Sequence, residues 1–94
     1  MRPLSDDQIT AALAHLPGWE RDGDALRREW QFGSFREAIA FLVQVAFEAE
    51  EWQHHPEVWN VYDRVRLTLT THDAGNRITE KDVALARVLS DLTP

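Results

Sequence analysis

The residues best suited to chemistry in this sequence are three of its histidines. His54 and His55 are adjacent, and His72 follows beyond a segment rich in β-branched and aromatic residues. Histidine is the one side chain whose unperturbed pKa, about 6.5, lets charged and neutral forms coexist near neutral pH. Several imidazoles in one site can therefore donate one proton and accept another in the same reaction. We interpret the three histidines as a candidate site of acid–base catalysis.

Two other interpretations compete with catalysis. A His-His pair beside a proline is, taken alone, more typical of a solvated helix end. Three histidines can also bind zinc, because catalytic zinc takes three protein ligands and keeps one open position. His54 and His55 are sequence neighbours, which rarely both turn toward one ion, and the sequence has no His-x-x-x-His motif. We therefore expect no metal site.

A β-hairpin should bring the histidines together. Pro56 has no N–H and disfavours helical backbone at His55, so the preceding helix should end near His54. Two strand-like segments follow, and Asp63-Arg64 is the plausible turn between them. In that register His55 lies directly opposite His72, so that both rings share one face.

The same register predicts two different faces for this hairpin. Val58 would pair with Leu69, and alternation along the strands separates a core side from a wetter side. The core side comprises Val58, Tyr62, Val65, Leu67 and Leu69, and the wetter side comprises Trp59, Arg66 and the two histidines.

Several spaced positions around this hairpin resemble the signature of pterin-4a-carbinolamine dehydratases. The local sequences HHPE, NVY and LTLTTHD are similar to that family, and the likeness extends from about Trp19 to Leu89. The residues that carry it are Glu50, His54-His55-Pro56, Tyr62, His72 and Asp82.

The resemblance implies a hydro-lyase that converts 4a-hydroxytetrahydrobiopterin to quinonoid dihydrobiopterin and water, and so supports tetrahydrobiopterin recycling. No metal and no redox cofactor is required for this reaction. We expect His55 and His72 to face each other across the reacting edge of the pterin. His54 would hold or protonate the 4a-hydroxyl.

Four further residues are candidates for binding the substrate or supporting the site. Glu50 lies one helical turn before His54 and could orient its ring. Trp59 could stack on the flat pterin, Asp82 could buttress the site, and Pro56 belongs to the same group. Each has a plainer alternative: Glu50 as surface charge, Trp59 as a sheet or interface residue, and Asp82 as a helix cap.

Helix and hairpin signals alternate along the chain. Capping patterns at Ser5, Ser34 and Thr79 each precede apolar residues at helical spacing, and Asp22-Gly23 marks a first hairpin. The predicted order is α-β-β-α-β-β-α. This is an α+β fold in which two hairpins form a four-stranded antiparallel sheet and three helices pack on one face. We expect one domain over residues 1–94, and the resemblance implies the same fold.

Composition excludes several classes of function. The chain has 94 residues, a net charge of −6 and no cysteine. The negative charge opposes binding to phosphate backbones, so we expect no direct contact with nucleic acid. Disulfides and thiol chemistry are excluded. The chain begins without the apolar run of a secretory signal and has no segment long enough to span a bilayer, so we expect a cytoplasmic protein that does not enter membranes.

The central helix suggests a protein partner. Phe41 and Phe47 widen its apolar surface beyond one stripe, so the helix should be either central to the domain or shared with a second subunit. We expect a homodimer or homotetramer. The resemblance also implies an alternative function, because members of the family act as dimerisation cofactors of transcription factors and degenerate relatives assist assembly. In that case the chain would be a protein-interaction module whose pterin site is vestigial or secondary.

Overall fold

A computed structural model that describes residues 1–92 has the predicted order of elements. Its helices are α1 (Asp6–Leu13), α2 (Phe35–Trp52) and α3 (Glu80–Ser90), and its strands are β1 (Glu20–Asp22), β2 (Ala25–Gln31), β3 (Glu57–Val61) and β4 (Arg64–Leu69). One turn of 3-10 helix, His72–Ala74, lies between β4 and α3. All neighbouring strands are antiparallel in the order β1-β2-β4-β3, which leaves β1 and β3 at the edges.

A core fills the space between the helices and one face of the sheet. In β4, Val65, Leu67 and Leu69 are fully buried, whereas the residues between them are at least partly exposed. This alternation is expected of a strand with one covered face. All three helices contribute buried side chains to the same cluster, among them Ile9, Phe41, Val45, Val83 and Leu89. The α+β fold predicted from the sequence is therefore confirmed.

The helices begin where local capping residues predict. Ser5 and Gln8 form a reciprocal capping box at α1, and Thr79 and Asp82 form another at α3. At α2 the Ser34 hydroxyl accepts the backbone N–H three residues on. Such caps satisfy N–H groups that have no partner inside the helix. The box at α3 is important for the site, because it holds Asp82 in place.

The turn of the second hairpin lies one residue earlier than the sequence predicted. The loop is Tyr62-Asp63 rather than Asp63-Arg64, so Val58 pairs with Leu67 instead of Leu69. Contacts outside the hairpin hold this loop. The backbone carbonyl of Asp63 accepts the N–H of Phe32 at 2.8 Å. The Asp63 carboxylate accepts the side-chain amide of Gln31, the last residue of β2, at 3.1 Å.

This shift changes partners without changing faces. Moving the turn by one residue moves every cross-strand partner by two, and side chains alternate with a period of two. His55 and His72, however, are outside the ladder, because β3 begins at Glu57 and β4 ends at Leu69. The predicted cross-strand pairing of these two histidines is therefore wrong.

Two residues expected in the core are exposed. Tyr62 is 66% exposed because it occupies the turn, where its φ is 53°, and Val58 is 54% exposed because β3 is an edge strand. Val58 does face the helix layer, where it lines an apolar groove with α2. The predicted face is correct for Val58, but the helices do not reach far enough to cover it.

Phe41 and Phe47 have opposite environments on α2. Phe41 is 4% exposed and packs with its ring centroid 4.9 Å from Trp30 and 5.1 Å from Phe32, whereas Phe47 is 74% exposed. Six residues at about 100° each leave the two side chains roughly 120° apart around the helix. The prediction of one surface carrying both is wrong for Phe41. Neither α2 nor any other helix within residues 1–92 is long and apolar enough to cross a bilayer.

Candidate active site

The three histidines meet where the end of α2, the segment after β4 and the start of α3 come together. A cavity of about 400 Å³ is lined by Gln53, His54, His55, Thr71, His72, Asp73 and Lys81. An adjoining cavity of about 300 Å³ is lined by His55, Pro56, Glu57, Thr68, Thr70 and His72. Volumes of this size are at the lower end for small-molecule sites. His55 and His72 line both cavities, so they share one site although they are not strand partners.

The end of α2 separates the two adjacent histidines. Gln53 adopts the left-handed conformation, with φ 50° and ψ 45°, and its N–H donates to the carbonyls of Ala49 and Glu50. The N–H of His54 also donates to the Ala49 carbonyl at 3.0 Å. A left-handed residue of this kind reverses the chain direction at a helix C-terminus. After this turn His54 is buried and His55 is exposed.

His54 is held by a buried carboxylate. Its Nε2 lies 2.5 Å from Oδ1 of Asp82, which is fully buried. The other carboxylate oxygen accepts the Thr71 hydroxyl at 2.8 Å and the Thr79 backbone N–H at 2.9 Å. A buried carboxylate requires such partners to offset its lost hydration. Asp82 is therefore both the helix cap and the residue that orients the His54 ring.

The acceptor at Nε2 determines which atom of His54 faces the cavity. A carboxylate only accepts hydrogen bonds, so Nε2 is the protonated nitrogen. Nδ1 has no hydrogen-bond partner among the described residues, and His54 lines the larger cavity. This nitrogen is available to a ligand.

Glu50 does not contact His54 as the sequence predicted. Its Oε1 lies 4.0 Å from Nε2 of His55, and both side chains are exposed. The left-handed turn at Gln53 rotates His54 away from the face that Glu50 occupies, so helical spacing no longer applies. Glu50 also lines the apolar groove next to the site together with His55 and Pro56.

His72 has its own orienting partner. Its Nδ1 lies 2.7 Å from Oδ1 of Asn76. The loop between them is closed by backbone bonds from the N–H of Asn76 to the carbonyl of Thr71 at 3.0 Å and from the Thr71 N–H to the Arg77 carbonyl at 3.0 Å. Sequence reasoning missed Asn76. The signal that could have found it is Gly75-Asn76, a pair typical of left-handed turn positions.

Trp59 lines neither of the two histidine cavities. The guanidinium carbon of Arg66 lies 4.5 Å from its ring centroid, and Arg66 also pairs with Glu29 at 3.1 Å. Trp59 and Arg66 are cross-strand partners on the face that the helices leave uncovered. The plainer alternative, a sheet residue, fits this position.

Lys81 and Asp73 were not predicted, yet both line the larger cavity. Lys81 also donates to the carbonyl of Gln53 at 3.4 Å, near the end of α2. Its place directly before Asp82 in the first turn of α3 was the available signal. Within residues 1–92 no group of three or more histidine or acidic side chains is arranged to hold a metal ion.

Sequence comparisons place this arrangement among related proteins. A family model described as Pterin 4 alpha carbinolamine dehydratase matches residues 2–92. Two curated proteins that carry the pterin-4-alpha-carbinolamine dehydratase name are similar throughout. The protein from Opitutus terrae is 55% identical over 84 residues, which cover 89% of this chain and 87% of the relative. The protein from Thermomicrobium roseum is 54% identical over 92 residues, which cover 98% of both.

Solved structures share the fold. The crystal structure of a transcriptional coactivator/pterin dehydratase from Brucella melitensis superposes with a TM-score of 0.94 at 36% identity, covering 99% of this chain and 100% of that one. A pterin dehydratase-like protein identified as a RuBisCO assembly factor in the alpha-carboxysome has a TM-score of 0.70 at 27% identity, covering 83% and 92%.

Proposed function

This chain belongs to the pterin-4a-carbinolamine dehydratase family, and we propose that it dehydrates 4a-hydroxytetrahydrobiopterin to quinonoid dihydrobiopterin and water. The observation that carries the proposal is the shared position of His55 and His72 on two adjoining cavities, with the ring of His54 fixed beside them. The product would re-enter tetrahydrobiopterin recycling.

The reaction requires two proton movements and no oxidation. The C4a–O bond breaks, and the departing hydroxide takes a proton from an acid to become water. The proton on N5 passes to a base, and the electron pair of the N–H bond forms the new double bond between N5 and C4a. A site with one imidazole able to donate and another able to accept supplies both steps.

His55 and His72 are the acid–base pair in this proposal. Both are exposed to the cavities, so a pterin edge can contact them from the same side. Each correctly placed group is typically worth about 10²- to 10⁴-fold in rate. Glu50 is close enough to His55 to favour one orientation of its ring, and Pro56 provides an apolar wall.

His54 serves to hold the 4a-hydroxyl. Its ring is nearly buried and cannot follow a moving substrate, because Asp82 fixes it from behind. Its Nδ1 keeps a lone pair, so it can accept the O–H of the substrate and hold the hydroxyl in one orientation for departure. Asp82 acts through His54 and is a positioning residue.

Kinetics of two alanine variants test the proposed activity. The substrate is generated chemically, and its dehydration is followed by stopped-flow absorbance with and without protein. His55→Ala and His72→Ala should each lower turnover by about 10²-fold or more. His15→Ala is the matched control, because His15 is exposed and lies outside the site. Wild-type rates in both site variants would refute the proposal.

A second copy of this chain is the proposed partner of α2. The helix exposes a stripe of apolar side chains four residues apart: Phe35, Ile39, Val43 and Phe47. Exposed apolar stripes of this kind mark interfaces. Edge strand β3 adds exposed Val58 and Val61 and an unpaired backbone edge. These surfaces favour a homodimer or homotetramer.

Sedimentation of a charge variant tests the oligomer. Phe47→Glu should shift the protein toward monomer, whereas Gln44→Glu, which adds the same charge to an exposed position of α2 away from the stripe, should not. A monomeric wild-type protein would instead favour the alternative, in which the stripe binds a different protein.

A further inference from the structure

Asn76 offers His72 an acceptor at one defined ring nitrogen. The amide oxygen of Asn76 lies 2.7 Å from Nδ1, and both residues are exposed beside the cavity. An amide oxygen only accepts hydrogen bonds, so Nδ1 must donate. In the neutral ring the proton is then on Nδ1, and Nε2 keeps its lone pair.

The backbone of the loop suits this side chain. Asn76 has a φ of 59° and follows Gly75 with a φ of 75°. Asparagine is among the few residues that tolerate this left-handed region, because its short polar side chain bonds locally. The backbone N–H of Asn76 donates to the Thr71 carbonyl, which closes the loop. The side-chain amide oxygen of Asn76 then lies within hydrogen-bonding distance of His72. Asn76 thus satisfies a backbone requirement and supplies an acceptor at the same position.

The two oriented histidines present different nitrogens to the site. His54 donates from Nε2 to Asp82, which leaves Nδ1 available, whereas His72 uses Nδ1 for Asn76, which leaves Nε2 available. A hydrogen bond at one imidazole nitrogen determines the chemistry of the other. In serine hydrolases a carboxylate at Nδ1 orients the catalytic imidazole in the same manner.

We propose that Asn76 is a positioning residue that keeps His72 in the Nδ1–H tautomer, so that Nε2 accepts the N5 proton of the substrate. This inference rests on the proposed dehydration, and it assigns the base within it. His55 is then left as the acid that protonates the departing hydroxide. No atom of Asn76 contacts the reacting bond.

Two variants separate the acceptor from the backbone conformation. Asn76→Gly removes the amide and is comfortable at positive φ. Asn76→Asp keeps an acceptor oxygen and also tolerates this conformation. An unsupported imidazole in water prefers the Nε2–H tautomer, so the glycine variant should release His72 to that form, and the aspartate variant should not.

The first measurement is independent of activity. Two-bond ¹H–¹⁵N correlation spectra of histidine-labelled protein, recorded where the ring is neutral, distinguish a protonated from an unprotonated ring nitrogen. We expect His72 to show a protonated Nδ1 in the wild type and in Asn76→Asp, and a protonated Nε2 in Asn76→Gly. Dispersed amide signals check that each variant is folded.

The second measurement is the dehydration rate. Losing one hydrogen bond of ordinary net strength changes an equilibrium by about 2- to 10-fold. Asn76→Gly should therefore lower kcat by roughly 5- to 10-fold with little change in KM, and Asn76→Asp should restore most of it. A separation of kcat from KM is expected because the tautomer affects proton transfer more than binding.

Three outcomes overturn the inference. They are a wild-type His72 with its proton on Nε2, a tautomer that is unchanged in Asn76→Gly, and a changed tautomer with unchanged kcat. If His55→Ala and His72→Ala both leave dehydration unchanged, the proposed function fails, yet the spectra still report whether Asn76 sets the tautomer. The two failures are therefore distinguishable.

Discussion

Replacing Asp82 should destabilise the protein strongly, because its carboxylate is fully buried and has three hydrogen-bonding partners. They are Nε2 of His54, the Thr71 hydroxyl and the Thr79 backbone N–H. In Asp82→Ala the Thr71 hydroxyl can still bond the Thr79 hydroxyl 2.8 Å away. The other two donors, Nε2 of His54 and the Thr79 backbone N–H, lose their acceptor. Each unpaired buried donor costs about 1–3 kcal/mol, so the free energy of unfolding should fall by about 2–6 kcal/mol.

Asp82→Asn separates stability from chemistry. The amide oxygen can still accept from Thr71 and Thr79, so the free energy of unfolding should fall by only about 1 kcal/mol. The amide nitrogen, however, meets Nε2 of His54 as a donor. That nitrogen must then accept, and the proton moves to Nδ1, the atom that faces the cavity. Turnover should fall by about 10²-fold, the lower end for an acid–base group.

Urea denaturation followed by tryptophan fluorescence measures the stability changes, since Trp19 and Trp30 are buried. Stopped-flow dehydration measures turnover. Glu80→Ala is the matched control, because it removes an exposed carboxylate from the same first turn of α3 and should change neither quantity much. A stability loss below about 1 kcal/mol in Asp82→Ala, or wild-type turnover in Asp82→Asn, would refute the role assigned to this carboxylate.

Three further substitutions test the packing around the site. Phe41→Ala should lower the free energy of unfolding by about 3–5 kcal/mol, since it empties a core position, and a loss no larger than that of Phe47→Ala would contradict this assignment. Gln53→Gly should raise the free energy of unfolding by about 0.4–1 kcal/mol in urea denaturation, because glycine suits φ 50°. A lower free energy of unfolding would show that contacts of the Gln53 side chain outweigh this backbone effect. Trp59→Ala should leave kcat/KM near wild type, because the ring packs under Arg66 outside both cavities, and a large rise in KM would instead support stacking on the substrate.

Much of the fold follows from short-range sequence signals. All three helices begin with side-chain caps that bond within three residues: Ser5 with Gln8, Ser34, and Thr79 with Asp82. Alternation along the two central strands, β2 and β4, buries one side of each. Such bonds and periodicities depend on few neighbours, so the sequence predicts them directly. The spacing of the three histidines also indicated one shared site, and the cavities contain all three.

Only the tertiary structure decided which atoms meet inside that site. The hairpin turn lies one residue earlier than predicted because Gln31 of β2 bonds the loop at Asp63. Glu50 lies near His55 rather than His54 because Gln53 takes a left-handed conformation. The Asn76 contact with His72 needs a closed loop that no periodicity predicts. These choices depend on competing contacts between segments distant in the chain or on single backbone angles, and residue spacing alone carries no information about either.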